Sequence, residues 1–150
     1  MSRIRHSKGA DYLESLSINY TGSYDDSSKS VLYGVTDLTT DSSMRLKELR
    51  CINLPLDISL SLALQSMKSL EKLTISSDGS DELIPIPSLA CLTELQLTGV
   101  SETFVIMFLE ACPSITTLHL SEIHGSEETV SQHTVPANLS CKLKVVDIST

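Results

Sequence analysis

The 150-residue sequence has no tryptophan, two phenylalanines and four tyrosines. With so few rings, a core has to come from many small aliphatic contacts rather than from one large packed centre. Basic residues are also scarce: 11 Lys and Arg against 19 Asp and Glu leave a net charge of −8. Such a chain is repelled by phosphate backbones. The one basic run, Arg3, Arg5, His6 and Lys8, is too short to reverse that, so no nucleic-acid partner is expected. Long apolar runs are missing too. The longest, Phe104 to Leu109, falls well short of the roughly 20 residues that cross a bilayer. Residues 1–20 are interrupted throughout by charged and polar side chains, unlike a secretory signal. The expectation is a cytoplasmic or nuclear chain without a membrane partner. On that expectation, the glycosylation patterns Asn19-Tyr20-Thr21 and Asn138-Leu139-Ser140 are chance matches.

Motifs that would carry catalysis are absent as well. Cys51, Cys91, Cys112 and Cys141 form no Cys-x-x-Cys pair, so spacing supports neither a zinc site nor a redox dithiol. As free thiols the four suit a reducing compartment; two disulfides are the alternative that the sequence leaves open. The six glycines, at 9, 22, 34, 79, 99 and 125, build no phosphate-cradling loop. His119, His124 and His133 match no common metal-ligand spacing and are expected to be solvated, leaving no cofactor and no metal to predict. His119 and Asp147 merit separate weighing. A Ser/His/Asp reading would recruit Ser121, two residues along from His119, but no oxyanion-hole loop accompanies it. A surface hydrogen bond between His119 and Asp147 is the expected arrangement, and the chain is not expected to be an enzyme.

What the sequence does have is repetition, which is best sought before secondary structure. The pattern apolar-x-x-apolar-x-apolar occurs at Leu13-Glu-Ser-Leu16-Ser-Ile18, Leu46-Lys-Glu-Leu49-Arg-Cys51 and Leu70-Glu-Lys-Leu73-Thr-Ile75. It returns at Leu92-Thr-Glu-Leu95-Gln-Leu97, Ile115-Thr-Thr-Leu118-His-Leu120 and Leu143-Lys-Val-Val146-Asp-Ile148. The first residues, 13, 46, 70, 92, 115 and 143, lie 33, 24, 22, 23 and 28 residues apart. Within each copy the last two apolar positions alternate with a polar one, the period of a strand with one buried face. Six strand units are therefore predicted, at 13–18, 46–51, 70–75, 92–97, 115–120 and 143–148, in a single domain over 1–150.

Between copies the period changes. Ser101 is placed to cap a helix carrying Phe104, Phe108 and Leu109, which stops before Pro113. Asp57 to Met67 puts Leu60, Leu64 and Met67 on one helical side, although its Ile-Ser-Leu-Ser-Leu alternation also fits a strand. Residues 21–43 and 124–141 are rich in polar residues and read as insertions between units.

A strand followed by a helix about every 23 residues resembles the leucine-rich-repeat unit, whose copies bury their apolar faces only by stacking on one another. The implied fold class is α/β: a leucine-rich-repeat solenoid with a curved parallel sheet on its concave face and helices or irregular segments on its convex face. The run Phe108-Leu-Glu-Ala-Cys-Pro-Ser-Ile-Thr-Thr-Leu-His-Leu120 looks like the helix-Cys-Pro-x-Leu-x-x-Leu-x-Leu unit of fungal-type F-box proteins with leucine-rich repeats. Ser66 to Ile75 is a looser version. Plant immune-receptor repeats are a second similar family.

The resemblance implies a non-enzymatic module that binds another protein through its concave strands. In the F-box setting this would be the substrate-recognition part of a ubiquitin ligase component. A cullin-ligase adaptor is implied as a partner only if a longer parent chain carries an F-box. The expected binding residues are Glu48, Arg50, Lys72, Thr74, Glu94, Gln96, Thr117, His119 and Asp147. The register further predicts a lateral row of Ser17, Arg50, Thr74, Gln96, His119 and Asp147, vulnerable at the 28-residue interval before the last copy. The competing expectation is a truncated or inert repeat fragment with no partner of its own, since terminal caps are not evident at either end.

Overall fold

The computed structural model describes residues 13–20, 45–54, 56–78, 84–125 and 145–149. The fold is α/β. Strands β1 (Ser15–Asn19), β2 (Glu48–Ile52), β3 (Lys72–Ser76), β4 (Glu94–Thr98), β5 (Thr117–Ser121) and β6 (Val145–Ser149) form one sheet. Every neighbouring pair is parallel and the strand order follows the chain order. Helix α1 (Ile58–Ser66) follows β2, and α2 (Glu102–Ala111) follows β4. Most of the two long insertions and the residues before Leu13 lie outside the described residues.

The register carries no slip. Leu16, Leu49, Leu73, Leu95, Leu118 and Val146 are partners across the whole sheet, as are Ile18, Cys51, Ile75, Leu97, Leu120 and Ile148. Backbone pairing outside the strands repeats from unit to unit. The carbonyls of Glu14, Lys47, Glu71 and Thr93 each accept two consecutive N–H groups from the next unit, at 2.8–3.0 Å. At the other end of the strands, Tyr20, Asn53, Ser77 and Gly99 donate to Ile52, Ser76, Thr98 and Ser121, at 2.9–3.0 Å. From β1 to β5 each strand is thus clamped to the next at both ends, which holds the side-chain rows straight.

The core lies on one face of the sheet. Leu49, Cys51, Leu73, Ile75, Leu95, Leu97 and Leu118 are buried in one cluster with Leu60 and Leu64 of α1 and Phe104 and Phe108 of α2. The segment 57–67 is a helix rather than a strand. Asp57 caps it by accepting from the Ser59 N–H at 2.9 Å, and Leu60, Leu64 and Met67 are all buried. The buried hydroxyl of Ser61 donates to the Pro85 carbonyl, which accounts for a polar side chain on the helix's packed side. Ser101 caps α2, accepting from the Phe104 N–H at 3.2 Å, and Glu102 in the first turn suits the helix dipole. The rings of Phe104 and Phe108 meet edge to face, centroids 5.2 Å apart and 69° between planes.

Burial fades towards both ends of the sheet. Leu16 and Ile18 are half-buried, and Ile148, predicted inward, is 67% exposed on the edge strand β6. β6 is an edge strand, with β5 as its one neighbour in the sheet. Cys51, Cys91 and Cys112 are free thiols, and burial pushes Cys51 up to about 12 and raises Cys112. Cys141 lies outside the described residues. No helix among the described residues is long and apolar enough to cross a membrane.

Candidate functional site

The outward face of the sheet, turned away from the helices, carries the predicted binding residues. Alternation along each strand places them there, and the register then sorts them into rows. Glu48, Lys72, Glu94 and Thr117 are lateral partners in one row, continued by Val145. Arg50, Thr74, Gln96, His119 and Asp147 are partners in the next, begun by Ser17. A third row is Asn19, Ile52, Ser76, Thr98, Ser121 and Ser149. All nine predicted residues therefore share one surface, and the 28-residue interval does not displace Asp147 from its place beside His119.

Charge on this face is partly compensated within it. Lys72 Nζ lies 2.8 Å from Glu94 Oε1, each side chain a third or more exposed (39% and 34%). The hydrogen bond that its ammonium donates to Glu94 holds Lys72 above the ordinary lysine value, with help from the charges of Glu94 and Glu48. The sign of the linkage follows. Stability from this pair is fully present below the ordinary lysine pKa and is lost as pH rises through the raised folded value. It is small, because both groups remain wet. Urea melts at pH 8 and pH 11 are expected to show a slightly larger loss for the native protein than for Glu94→Gln. Equal losses would dissolve the pair's role. On the neighbouring strand, the Ser15 hydroxyl donates to Glu48 Oε2 at 3.5 Å.

His119 Nδ1 and Asp147 Oδ2 are 3.6 Å apart, a side-chain contact longer than a hydrogen bond. Beside them is a shallow depression of about 100 Å³ lined by Gln96, His119, Ser121, Asp147 and Ser149 among others. Ser121 and Ser149 come from the third row. Alternation marks them as outward, but nothing in their spacing singles them out as walls of a hollow. No hydrogen bond links Ser121 to His119 among the described residues. His124 is exposed and joins Ser101 through its backbone, whereas His133 lies outside the described residues. Among the described residues no three His, Cys, Asp or Glu side chains gather as metal ligands.

Thr74 departs from the outward pattern. It is 3% exposed, and its hydroxyl has no hydrogen-bond partner among the described residues. It sits mid-sheet, between Arg50 and Gln96 and in line with Lys72 and Ser76, so longer side chains flank its short one. A buried hydroxyl without a partner costs about 1–3 kcal/mol. Thr74→Val keeps the shape and the β preference while removing that group. It is expected to raise stability by about 1 kcal/mol in denaturant melts; a loss of that size would mean the hydroxyl is satisfied in solution.

Comparison with protein-family models, with characterised proteins and with solved structures gives no match to this chain.

Proposed function

We propose that this chain is a leucine-rich-repeat solenoid that binds another protein, without catalysis, through the outward face of its sheet. The observation that carries the reading is the unbroken register. Six parallel strands in chain order set their outward residues in three lateral rows, with both described helices in the core cluster of the other face. A face of that kind is built by stacking equivalent units, and stacked units offer extended binding surfaces. Its mixed polar character suits a reversible contact with a protein rather than a hydrophobic permanent one. The likeness of residues 108–120 to F-box-type repeats supports substrate recognition in ubiquitin ligation as the specific role. Docking of the ligase adaptor belongs only to a longer chain that carries an F-box. The step from fold to role is an analogy.

Site-directed photo-crosslinking tests the reading in the cells that express the protein. A photoreactive side chain at Gln96 or Thr98, on the outward face, is expected to trap the same partner. The same group at Gln65, exposed on α1, is expected to trap none. Equal capture from Gln65, or no capture from the strand positions, would overturn the proposal, the second outcome favouring an inert fragment.

A further inference from the structure

The middle outward row has an exposed cation near one end and an exposed anion at the other. Arg50 of β2 is exposed and has no ion-pair partner among the described residues. Its neighbour Glu48 accepts from Ser15, and Lys72 pairs with Glu94, so no carboxylate among the described residues pairs with the guanidinium. Asp147 of β6 is 69% exposed and lies 3.6 Å from His119 Nδ1. Between the two ends lie Thr74 and Gln96, both uncharged, with His119 beside the depression. The row sinks at Thr74, whose side chain is buried while Arg50 stands clear of the surface.

From β2 to β6 there are four interstrand steps of about 4.8 Å, or about 19 Å. An extended peptide advances about 3.3 Å per residue, so five or six residues cover that span. Arginine pairs with carboxylates through a planar fork, and an exposed aspartate accepts from lysine or arginine. Charge arranged in this way selects partners and their register more than it adds affinity.

We infer that Arg50 and Asp147 form a two-ended charge clamp for an extended segment of a partner protein that carries an acidic and a basic residue five or six positions apart. The acidic residue meets Arg50, the segment crosses Thr74 and Gln96, and the basic residue enters the hollow beside His119, Ser121 and Asp147. This rests on the outward face being the binding surface and adds the chemistry of what it binds. Because an extended segment can lie in either chain direction, both sequence orders of the charged pair are accepted.

A phage-displayed library of random twelve-residue peptides, selected on the full chain, provides the test. Enriched peptides are expected to carry one acidic and one basic residue at that spacing. Their binding, read by fluorescence anisotropy, is expected to weaken at least tenfold on Arg50→Glu or on Asp147→Lys. Selection on Arg50→Glu should instead enrich two basic residues, and selection on Asp147→Lys two acidic ones. Both substitutions are of exposed side chains, and circular dichroism melts matching the native protein would confirm intact folding. Peptides without the charged pair, peptides indifferent to both substitutions, or no enrichment at all would overturn the clamp. A photoreactive group within the enriched peptides separates this failure from that of the wider reading. Crosslinks to outward strand residues without the charge pattern leave the binding face standing, whereas crosslinks to α1 or α2 remove both.

Discussion

Replacing Leu95 with alanine is expected to lower stability by about 2–5 kcal/mol, whereas Gln96→Ala, at the next residue, should cost about 0.5 kcal/mol or less. The contrast follows from alternation. Leu95 is fully buried, in register with Leu73 on one side and Leu118 on the other. Gln96 points the opposite way and is half-exposed. The cost of the alanine depends on how far the surroundings can close over the lost methyl groups. Here they have little freedom. The strands beside β4 are held by the paired N–H groups of Thr93 and Glu94 on Glu71 and of Thr116 and Thr117 on Thr93. Collapse would require breaking that clamp, so the upper part of the range is expected. Chemical denaturation of the two variants side by side is the measurement. Equal losses would mean that the faces of β4 are assigned the wrong way round.

The same alternation explains how much of the architecture was legible before any coordinates. A period of two leaves no freedom in which residues share a face, so the rows through Leu95 and Gln96 could be read from six short motifs. The capped helix after Ser101 was legible for a similar reason, since its hydroxyl, its apolar spacing and Pro113 all mark the same boundaries. Ambiguity at 57–67 arose because Ile-Ser-Leu-Ser-Leu satisfies both periods. The packing of Ser61 on the Pro85 carbonyl, 24 residues away, contributes to the outcome, and no local pattern contains that contact. Burial of Thr74 and exposure of Ile148 were hidden too. Alternation tells which way a side chain points but not how tall its neighbours stand or whether another unit covers it. Alternation also put the nine predicted positions on one face of the sheet, while the hollow walled by Ser121 and Ser149 depends on side-chain heights that only the assembled sheet defines.

Gly99 was equally silent in the sequence, and its substitution is the other change expected to have a large effect. The residue just after the strand takes a left-handed conformation in three units: Asn53 at φ 56°, Gly99 at φ 66° and Glu122 at φ 53°. At Asn53 and Glu122 the side chain is exposed, so only the conformation itself is unfavourable, and asparagine tolerates it well. Gly99 is buried, and a Cβ there would stand 2.1 Å from the carbonyl oxygen of Ser77, a backbone atom of the preceding unit. Ser77 cannot retreat freely, because its N–H donates to Thr98 at 2.9 Å, one residue before the glycine. Gly99→Ala therefore adds a steric displacement to the roughly 1–2 kcal/mol of a left-handed L-residue. A total of about 3–5 kcal/mol is expected, with overpacking supplying the remainder. Glu122→Gly separates the two causes. It relieves the conformation where no clash exists, and after the greater unfolded-state entropy of glycine is subtracted, a gain of about 1 kcal/mol or less should remain. Thermal and urea melts of both variants measure this. A Gly99→Ala protein within about 1 kcal/mol of the native one would show that the turns after β3 and β4 do not approach closely. A destabilised Glu122→Gly would show that its left-handed conformation is not what the turn after β5 adopts in solution.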